Sequence, residues 1–503
     1  MRESIRFLLN GAPVSVAGGE AWLMLSEFLR RSRGLAGTKV VCAEGDCGSC
    51  AALVGRPEAG RVVYRSIASC ITQLIQVDAS HVVTVEGLRD SEELNAFQES
   101  MAREHGAQCG FCTPGFVVAA QGMVESGVSV DLEQARRGLT GNLCRCTGYD
   151  AILRAVVGTD PAELTRVNER YADADVMPAL ERWAVESVLV QHGERTLHKP
   201  VTLEEAAEIL KAAPSASDHA HAAKLSVSSS PTTTVWSGGT DLGVVCNKRG
   251  AVPDRLLYLG GVASLDEVTE TSDEAGRSWL VLGAGVTLHR FQQEMAERVP
   301  EFAEFLEWFG SPPIRHAGTV GGNLCTASPI GDTLPAMHVL GAQIDVASSG
   351  NSRSVPIAEF HTGYRQTSLE PGELVQAIRV PLPRSDERLR LMKVSRRKDM
   401  DISTVSAAFF FALRAGVMKD VRIAFGGVAA TVERATSIEG MLEGQTPCRE
   451  VFERAAHAAE RLYSPMTDVR GSADYRKALC RNLILKLWHE IDSGGVKHEG
   501  VSL

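Results

Sequence analysis

The stretch "QCGFCTPGF" (residues 108–116) places Cys109 and Cys112 three positions apart between glycines, and a threonine–proline pair follows directly. A second pair, Cys144 and Cys146, stands in "GNLCRCTGY" (141–149), thirty-one residues after the first pair. Four thiols in the pattern Cys-x2-Cys…Cys-x-Cys are typical of a metal site, and either zinc or an iron–sulfur cluster satisfies this spacing.

The sequence around these cysteines has helical character. Thr113 is predicted to N-cap a helix that has Pro114 at its first position, because proline is favoured there. The cysteine pairs would then lie on loops at helix ends, where short helices bring them together. The predicted helices cover residues 91–106, 115–127, 131–139 and 148–157.

A second group of four cysteines precedes this one. Cys42, Cys47, Cys50 and Cys70 have the spacing Cys-x4-Cys-x2-Cys…Cys, which plant-type [2Fe–2S] ferredoxins use. The glycines in "CAEGDCGSC" (42–50) allow positive φ and the close approach of backbone amides to a cluster. A structural zinc site with four cysteine ligands is the alternative, although zinc sites usually pair short knuckles.

The flanks of this group favour a small sheet crossed by one helix. Residues 4–16 predict a β-hairpin with its turn at Asn10-Gly11. Residues 20–34 have helical apolar spacing and end at a glycine, and residues 51–55 and 61–66 predict short strands.

Composition restricts the possible partners and compartment. The 503 residues carry a net charge of -10, which argues against nucleic acid and anionic membranes as partners. We find no apolar run long enough for a membrane span and no signal-peptide pattern, so we expect a cytoplasmic protein. Its twelve cysteines would then stay reduced, and the four outside the two groups are predicted to be small buried residues.

The rest of the chain contains two glycine-rich segments. Residues 161–195 predict a polar connector, and residues 214–234 are of low complexity. Segments 234–243 and 316–332 lack the G-x-G-x-x-G fingerprint, so a Rossmann site is not indicated. Paired glycines can present amides to a pyrophosphate, but ordinary turns explain them equally well.

The motifs "CAEGDCGSC", "QCGFCTPG" and "GNLCRCTGY", in this order, resemble the iron–sulfur half of the molybdenum hydroxylases. The resemblance implies an α+β multidomain fold with four domains. They are a β-grasp [2Fe–2S] ferredoxin domain (1–85), a four-helix [2Fe–2S] domain (86–160), a vanillyl-alcohol-oxidase (PCMH-type) FAD domain (196–383) and a C-terminal α/β flavoprotein domain (384–503). Residues 161–195 would be the connector.

The resemblance also assigns cofactor residues. The eight cysteines of the two groups would bind two [2Fe–2S] clusters, and Gln108 would lie against a molybdopterin. The residues that match FAD-contacting positions of the family are Trp236, Ser237, Gly238, Gly239, Thr240, Asp241, Leu242, Gly243, Phe309, Thr319, Val320, Gly321, Gly322, Asn323, Asp332, Val375 and Lys393. The segment 393–403 would govern access of NAD to the flavin. No functional role is assigned to His316.

The resemblance implies an electron-transfer role. No stretch resembles the molybdopterin-binding half, so we expect it in a larger partner subunit, in a heterotetramer of two small and two large subunits. The domain order favours the xanthine dehydrogenase type. Electrons from the hydroxylation of hypoxanthine or xanthine would then pass from the partner's molybdenum through both clusters to FAD and on to NAD. No catalytic residue is expected in this chain.

Two alternatives stay open. Another split hydroxylase, acting on an aldehyde or an N-heterocycle with oxygen or a quinone as acceptor, would carry the same motifs. An assembly or storage protein with structural zinc is of a different class, and metal analysis with a visible spectrum would distinguish it.

Overall fold

The computed structural model describes residues 1–90, 93–212, 233–250 and 252–493. The protein is a mixed α+β chain of several domains, as expected. The described residues form two compact units. The first comprises residues 1–212, 233–264 and 310–319, and the second comprises residues 265–309 and 320–493. The low-complexity segment predicted at 214–234 lies almost entirely outside the described residues.

The strands are, in chain order, β1 Ile5–Leu9, β2 Ala12–Val16, β3 Ala51–Glu58, β4 Arg61–Ala68, β5 His81–Val83, β6 Val188–His192, β7 Arg195–Lys199, β8 Thr234–Trp236, β9 Arg255–Tyr258, β10 Val268–Ser272, β11 Ser278–Gly283, β12 Gln343–Ser348, β13 Asn351–Pro356, β14 His361–Gly363, β15 Gln366–Thr367, β16 Leu374–Pro381, β17 Glu387–Val394, β18 Val405–Arg414, β19 Val417–Gly426 and β20 Glu433–Arg434.

The α-helices are α1 Leu25–Glu27, α2 Ala96–Arg103, α3 Thr113–Glu125, α4 Leu132–Gly138, α5 Asp150–Val157, α6 Val167–Arg170, α7 Asp173–Ala184, α8 Leu203–Ala212, α9 Leu242–Arg249, α10 Leu288–Arg298, α11 Pro300–Glu307, α12 Pro312–Ala317, α13 Val320–Cys325, α14 Thr333–Leu340, α15 Ile357–Phe360, α16 Thr436–Leu442, α17 Arg449–Leu462 and α18 Ala473–Asp492. None of these helices has the length and apolar character of a transmembrane span.

The first unit begins with the predicted β-grasp sheet, whose strand order is β2-β1-β5-β3-β4. The hairpin β1–β2 turns at Asn10 and Gly11, which have φ values of 48° and 84°. Both central residues have positive φ, as a type I′ hairpin turn requires. Strand β5 pairs in parallel with β1 and antiparallel with β3, so it closes the sheet at its centre.

The predicted helix at 20–34 is broken. Residues Gly18–Trp22 form a 3₁₀ turn, α1 occupies only Leu25–Glu27, and Phe28–Ser32 continue with the wider pitch of a π turn. The apolar periodicity did locate the buried face, because Leu25, Phe28 and Leu29 are fully buried against the sheet. The backbone pitch, however, follows the packing rather than the propensity.

The four predicted helices are present as α2 to α5, and they share a core with residues of β3 and β4. Helix α3 is buried along most of its length, and its Gly122 faces Leu53 of β3 and Ser66 of β4. The boundaries of α2 are shorter than predicted, and residues 91–92 lie outside the described part. This packing places both cysteine motifs at one end of a shared core.

The segment predicted as a connector, 161–195, has secondary structure of its own. It contains α6, α7 and β6, and the side chains of Val167, Leu180 and Trp183 are buried in the same core as the helices α2 to α5. Its polar residues are the exposed face of amphipathic helices, which composition alone does not distinguish from a linker.

The segment leads into a second sheet of the first unit, in the order β6-β7-β9-β8. The two sheets share a buried ion pair. The Asp78 carboxylate accepts two hydrogen bonds from the guanidinium of Arg2, at 3.0 and 2.9 Å, and one from Lys199 Nζ at 2.7 Å. The Asp78 side chain is fully buried, so these two cations supply the charge compensation that water would otherwise give.

The second unit contains three further sheets among its described residues, the smallest of which is the hairpin β14-β15. The sheet β10-β11-β16-β12-β13 is antiparallel throughout, and helices α10, α11 and α14 belong to the same unit. The antiparallel sheet β17-β18-β19-β20 packs against α16, α17 and α18 through a common core. The part of the glycine-rich segment that lies in this unit, 320–332, begins with helix α13 rather than with a loop.

Replacing Asp78 with asparagine tests the ion pair that joins the two sheets of the first unit. The change leaves Lys199 buried beside a neutral amide and Arg2 with Glu186 as its remaining carboxylate, and we expect it to destabilise the protein by about 3–5 kcal/mol. Urea unfolding of the full chain measures the effect. The control is Glu133→Gln, which breaks an exposed i,i+4 pair with Arg137 and should cost under about 1 kcal/mol. Equal midpoints for the two variants would contradict the assignment.

Candidate iron–sulfur and flavin sites

The first four cysteines converge in the first unit. The Cys42 thiol lies beside those of Cys47 and Cys70, and the Cys70 thiol lies beside that of Cys50. The contacts with the neighbouring thiols lower the pKa of Cys42 and raise that of Cys70, which lies between two of them. The structure therefore brings these four cysteines together, and their binding of a cluster stays a prediction.

The backbone of this loop turns toward the sulfurs. Gly45 and Gly48 have φ values of 80° and 67°, in the left-handed region where glycine is favoured. The amide N–H of Glu44 donates to Cys42 Sγ at 3.4 Å, and the amide of Asp46 also points to that sulfur. Amides directed at sulfur atoms stabilise negative charge, which a cluster with thiolate ligands carries.

The second four cysteines form two cross-pairs, each with one member from each motif. The Cys112 thiol lies beside that of Cys144, and the Cys109 thiol lies beside that of Cys146. Burial, with the Cys144 thiol beside it, raises the pKa of Cys112 to about 12. Burial opposes ionisation of Cys144 as well, but hydrogen bonds from Thr147 lower its pKa below the ordinary value.

Two residues of the "CTGY" segment support the second site. Thr147 Oγ1 donates to Cys144 Sγ at 3.2 Å, and the Cys144 amide donates to the Tyr149 hydroxyl oxygen at 3.2 Å. Tyr149 has a φ of 70°, a conformation that costs energy for a residue other than glycine. Sequence reasoning identified the cysteines but not these supports.

Both cysteine groups fit a [2Fe–2S] cluster by the chemistry of their donors. Each consists of four neighbouring cysteines without a disulfide among them. No three His, Cys, Asp or Glu side chains in the described residues are arranged to hold a single metal ion. A [2Fe–2S] cluster makes a different demand, because each of its two irons takes two of the four cysteine sulfurs.

The two cysteine loops contact each other directly. The amide of Leu143, next to Cys144, donates to the carbonyl of Cys47 at 3.0 Å. Gly115 in the first turn of α3 lies so close that a Cβ there would be 2.2 Å from the Gly48 carbonyl oxygen. Only glycine fits such an approach, so the contact is part of the fold.

The start of α3 differs from the prediction by one residue. Cys112 is the N-cap, Thr113 is the first helical residue, and Pro114 is the second. Thr113 Oγ1 makes no capping hydrogen bond. Cys112 is the N-cap residue instead, so this predicted cluster ligand lies directly at the N-terminus of a helix.

The first predicted FAD segment, 236–243, lies in the first unit as a turn between β8 and α9. Gly239 has a φ of 71°, and a Cβ on Gly238 would be 2.2 Å from the Ala317 carbonyl oxygen. The hydroxyl groups of Ser237 and Thr319 lie 3.1 Å apart. A glycine turn with two hydroxyls and a helix N-terminus after it is a donor set that fits a diphosphate.

The second predicted segment continues in the second unit with Val320 to Asn323. The Gly321 amide donates to the Ala284 carbonyl at 3.0 Å, and the Ala284 amide donates to Gln376 of β16 at 2.9 Å. A Cβ on Gly321 would lie 2.6 Å from the Ala284 carbonyl oxygen. The structure therefore brings Val320–Asn323 beside the strand that carries Val375.

Among the remaining FAD candidates of the second unit, Asp332 and Lys393 contact each other. Lys393 Nζ donates to Asp332 Oδ2 at 2.7 Å and to the Trp308 carbonyl at 3.0 Å, next to the half-buried Phe309. Thr333 Oγ1 donates to Asn323 Oδ1, which ties the glycine segment to the start of α14. The Lys393 ammonium is thus already paired within the chain.

The segment 395–402 is held by Asp401. Its carboxylate accepts hydrogen bonds from the amides of Arg396 and Arg397, both at 3.0 Å. Lys398 Nζ lies 5.0 Å from the ring centroid of Trp308, in a cation–π contact. Asp401 therefore shapes its own loop, whereas the side chain of Asp399 is exposed.

Three family models match the chain. They are a [2Fe-2S] binding domain over residues 84–157, an FAD binding domain of molybdopterin dehydrogenases over residues 193–383, and a carbon monoxide dehydrogenase flavoprotein C-terminal domain over residues 390–491. The matched ranges include the second cysteine group and the FAD candidates of both units.

Individual relatives agree with these models. The chain is 27% identical to a xanthine dehydrogenase of Emericella nidulans over 97% of its length, and it spans 39% of that relative. It is also 27% identical to a nicotinate hydroxylase of the same organism, spanning 41% of it. The carbon monoxide dehydrogenase structure from Hydrogenophaga pseudoflava that lacks the Mo-pyranopterin moiety covers 58% of this chain and 94% of its own, with a TM-score of 0.51 and 25% identity.

Replacing Cys112 with serine tests the second ligand set. We expect the variant to lose the iron of one cluster and to keep FAD and the other cluster, because the FAD binding domain model covers other residues, 193–383, than the [2Fe-2S] model, 84–157. Iron content and electron paramagnetic resonance measure this. Cys448→Ser, at a half-buried cysteine outside both groups, should retain all the iron. Full iron content in Cys112→Ser would refute the assignment.

Proposed function

Since the chain belongs to the iron–sulfur and FAD branch of the molybdenum hydroxylases, we propose that it is the electron-transfer subunit of a split xanthine dehydrogenase. It would work in the cytoplasm with a larger molybdopterin-binding subunit. When bound, the clusters supply one-electron transfer and FAD supplies the exchange between one- and two-electron chemistry. The chain's own residues hold these groups in order.

The observation that carries this proposal is the contact between the two cysteine loops. Cys47 and Cys144 are ligand candidates of different sites, yet one hydrogen bond from the residue beside Cys144 links them. Proteins that use cysteine sites only for stability have no need to bring two of them together. Sites that exchange electrons do need a short and rigid connection.

The glycine turn at 236–243 would hold the diphosphate of FAD with backbone amides and with the hydroxyls of Ser237 and Thr319. In the second unit, Asp332 and Lys393 form a buried ion pair at 2.7 Å that would orient the residues facing the flavin. The pair leaves no net charge, so its role would be to fix Asn323 and Phe309 rather than to attract the cofactor.

The choice of substrate and acceptor depends on the relatives. The xanthine dehydrogenases that match nearly the whole chain support xanthine or hypoxanthine as substrate and NAD as acceptor. The nicotinate hydroxylase and the carbon monoxide dehydrogenase support a second candidate, a hydroxylase for another substrate with oxygen or a quinone as acceptor. Copurification of the native complex, followed by cofactor analysis and a purine assay with NAD, separates the two. Turnover of a purine with NAD is expected, and purine-inactive enzyme with full cofactor content would favour the second candidate.

The use of NAD as electron acceptor can be tested by a substitution in the segment 395–402. Replacing Asp399 with asparagine removes an exposed carboxylate without disturbing the hydrogen bonds of Asp401. We expect reoxidation of the reduced flavin by NAD to slow about two- to fivefold, the effect of one exposed charge contact. Flavin reduction by substrate should be unchanged in stopped-flow measurements on the assembled complex. The control is Glu297→Gln on α10, and equal reoxidation rates in both variants would contradict the proposal.

The proposed partner would dock where the second cluster is accessible. Cys109 and Cys146 are exposed, as is Gln108, and the apolar side chains of Phe111 and Leu143 beside them are 48% and 46% exposed. Exposed apolar groups next to a redox centre favour a protein interface at that position. An electron that leaves a molybdenum site would enter this chain through the same face.

Replacing Phe111 with aspartate tests the docking face. We expect it to weaken association with the molybdopterin subunit about tenfold or more, because a charge would be desolvated at the contact. Cluster and FAD content of the isolated chain should stay the same. Val185→Asp is the matched control, since Val185 is 74% exposed and lies on a different helix end. Association of both variants with unchanged affinity would rule out this face.

A further inference from the structure

Two amide side chains outside every cofactor motif join the first cysteine loop to the glycine turn at 236–243. Both belong to the first unit, and they point in opposite directions. Gln76 extends from the cysteine side to the turn, and Asn247 extends from the helix after the turn to the cysteines. Together they form a reciprocal connection, which we call the amide latch.

Asn247 lies in the last turn of α9. Its Nδ2 donates to the carbonyl of Ala43 at 2.9 Å and to the carbonyl of Cys70 at 2.8 Å. Ala43 follows the ligand candidate Cys42, so one amide group is bonded to both ends of the ligand set. The two hydrogens of that amide nitrogen are both used, which fixes its orientation.

Gln76 follows Cys70 by six residues and is buried. Its Nε2 donates to the carbonyl of Gly238 at 3.0 Å, and its Oε1 accepts from the indole N–H of Trp236 at 3.0 Å. The same oxygen accepts a hydrogen bond from the backbone N–H of Gln73 at 2.9 Å. The side chain therefore ties the segment after Cys70 to two residues of the glycine turn.

Helix α9 is the rigid element between these two ends. It begins at Leu242, directly after the turn, and its eight residues extend about 12 Å at 1.5 Å per residue. Gly243 packs against the segment after Cys70, where a Cβ would be 2.3 Å from the Ile71 carbonyl oxygen. The helix thus contacts the cysteine loop at both its ends.

We propose that Asn247 and Gln76 are positioning residues that set the separation and orientation of the first cluster relative to the FAD diphosphate turn. This inference rests on the proposed electron-transfer function. Hydrogen bonds that merely stabilise packing would tolerate small displacements. The hydrogen bonds of Gln76 and Asn247 fix both loops at once, as the supporting residues of a functional site do when they hold it within about 0.5 Å of its productive geometry.

Asn247→Asp is the main variant, because it keeps the shape but replaces the donor nitrogen with an oxygen that faces two carbonyls. Gln76→Glu similarly keeps the acceptor for Trp236 and loses the donor to Gly238. Lys248→Ala is the control on the same helix, since Lys248 pairs with Glu44 at the surface and is 60% exposed. All variants are made in the full chain.

The first readout is independent of enzyme activity. Hydrogen exchange at the amides of residues 43–47 and 238–243 should be about tenfold faster in Asn247→Asp than in the unaltered chain, as expected for the loss of two hydrogen bonds. The paramagnetic resonance signal of the first cluster should shift or broaden, and that of the second cluster should not. Lys248→Ala should match the unaltered chain in both.

The second readout is electron transfer within the chain after rapid reduction of the clusters. Transfer to the flavin should slow in Asn247→Asp and Gln76→Glu at equal cofactor content. Unaltered exchange, spectra and transfer in both variants would overturn the latch. If even the unaltered chain transferred no electrons to FAD, the proposed function would fail instead. The hydrogen-exchange rates and the paramagnetic resonance spectra would then still show whether the amide latch orders the first cysteine loop and the glycine turn.

Discussion

The hydrogen bond from the Leu143 amide to the Cys47 carbonyl, at 3.0 Å, requires that two cysteine loops from different domains meet backbone to backbone. Side chains at the contact would prevent this, which explains the glycines at 48 and 115. The sheet, the helices and the buried polar groups of the first unit hold the two loops in this close backbone contact. Each cysteine loop must place four thiols together and also contact the other loop, so few backbone conformations are possible for the residues around it.

The scaffold supplies that rigidity through buried groups remote from the cysteines. Asp78, with Arg2 and Lys199, joins the β-grasp sheet to the sheet that precedes the glycine turn. The helices of 161–195 fill the core beneath the second cysteine group. In the second unit, the pair of Asp332 and Lys393 has the same role on a smaller scale. The two ion-paired groups are local charge interactions that become strong because water is excluded.

Much of this was predictable because the decisive signals are local. Cysteine spacing identified all eight ligand candidates, and the Asn10-Gly11 dipeptide located a hairpin turn. Packing decided the rest. The helix expected at 20–34 breaks into turns of different pitch, the polar connector is partly buried, and the loop at 320–325 is a helix. Thr147, Tyr149 and the amides of Gln76 and Asn247 act through long-range contacts, so no spacing rule could indicate them.

The central claim is that this chain holds two [2Fe–2S] clusters and one FAD in a connected order. An anaerobic reductive titration of the purified chain, followed by visible absorbance and paramagnetic resonance, tests it most directly. The account predicts one electron for each of two distinguishable cluster signals and two for the flavin, with all three centres reaching equilibrium with one another. A chain that contains zinc instead of iron, or whose flavin stays oxidised while both clusters are reduced, would contradict it.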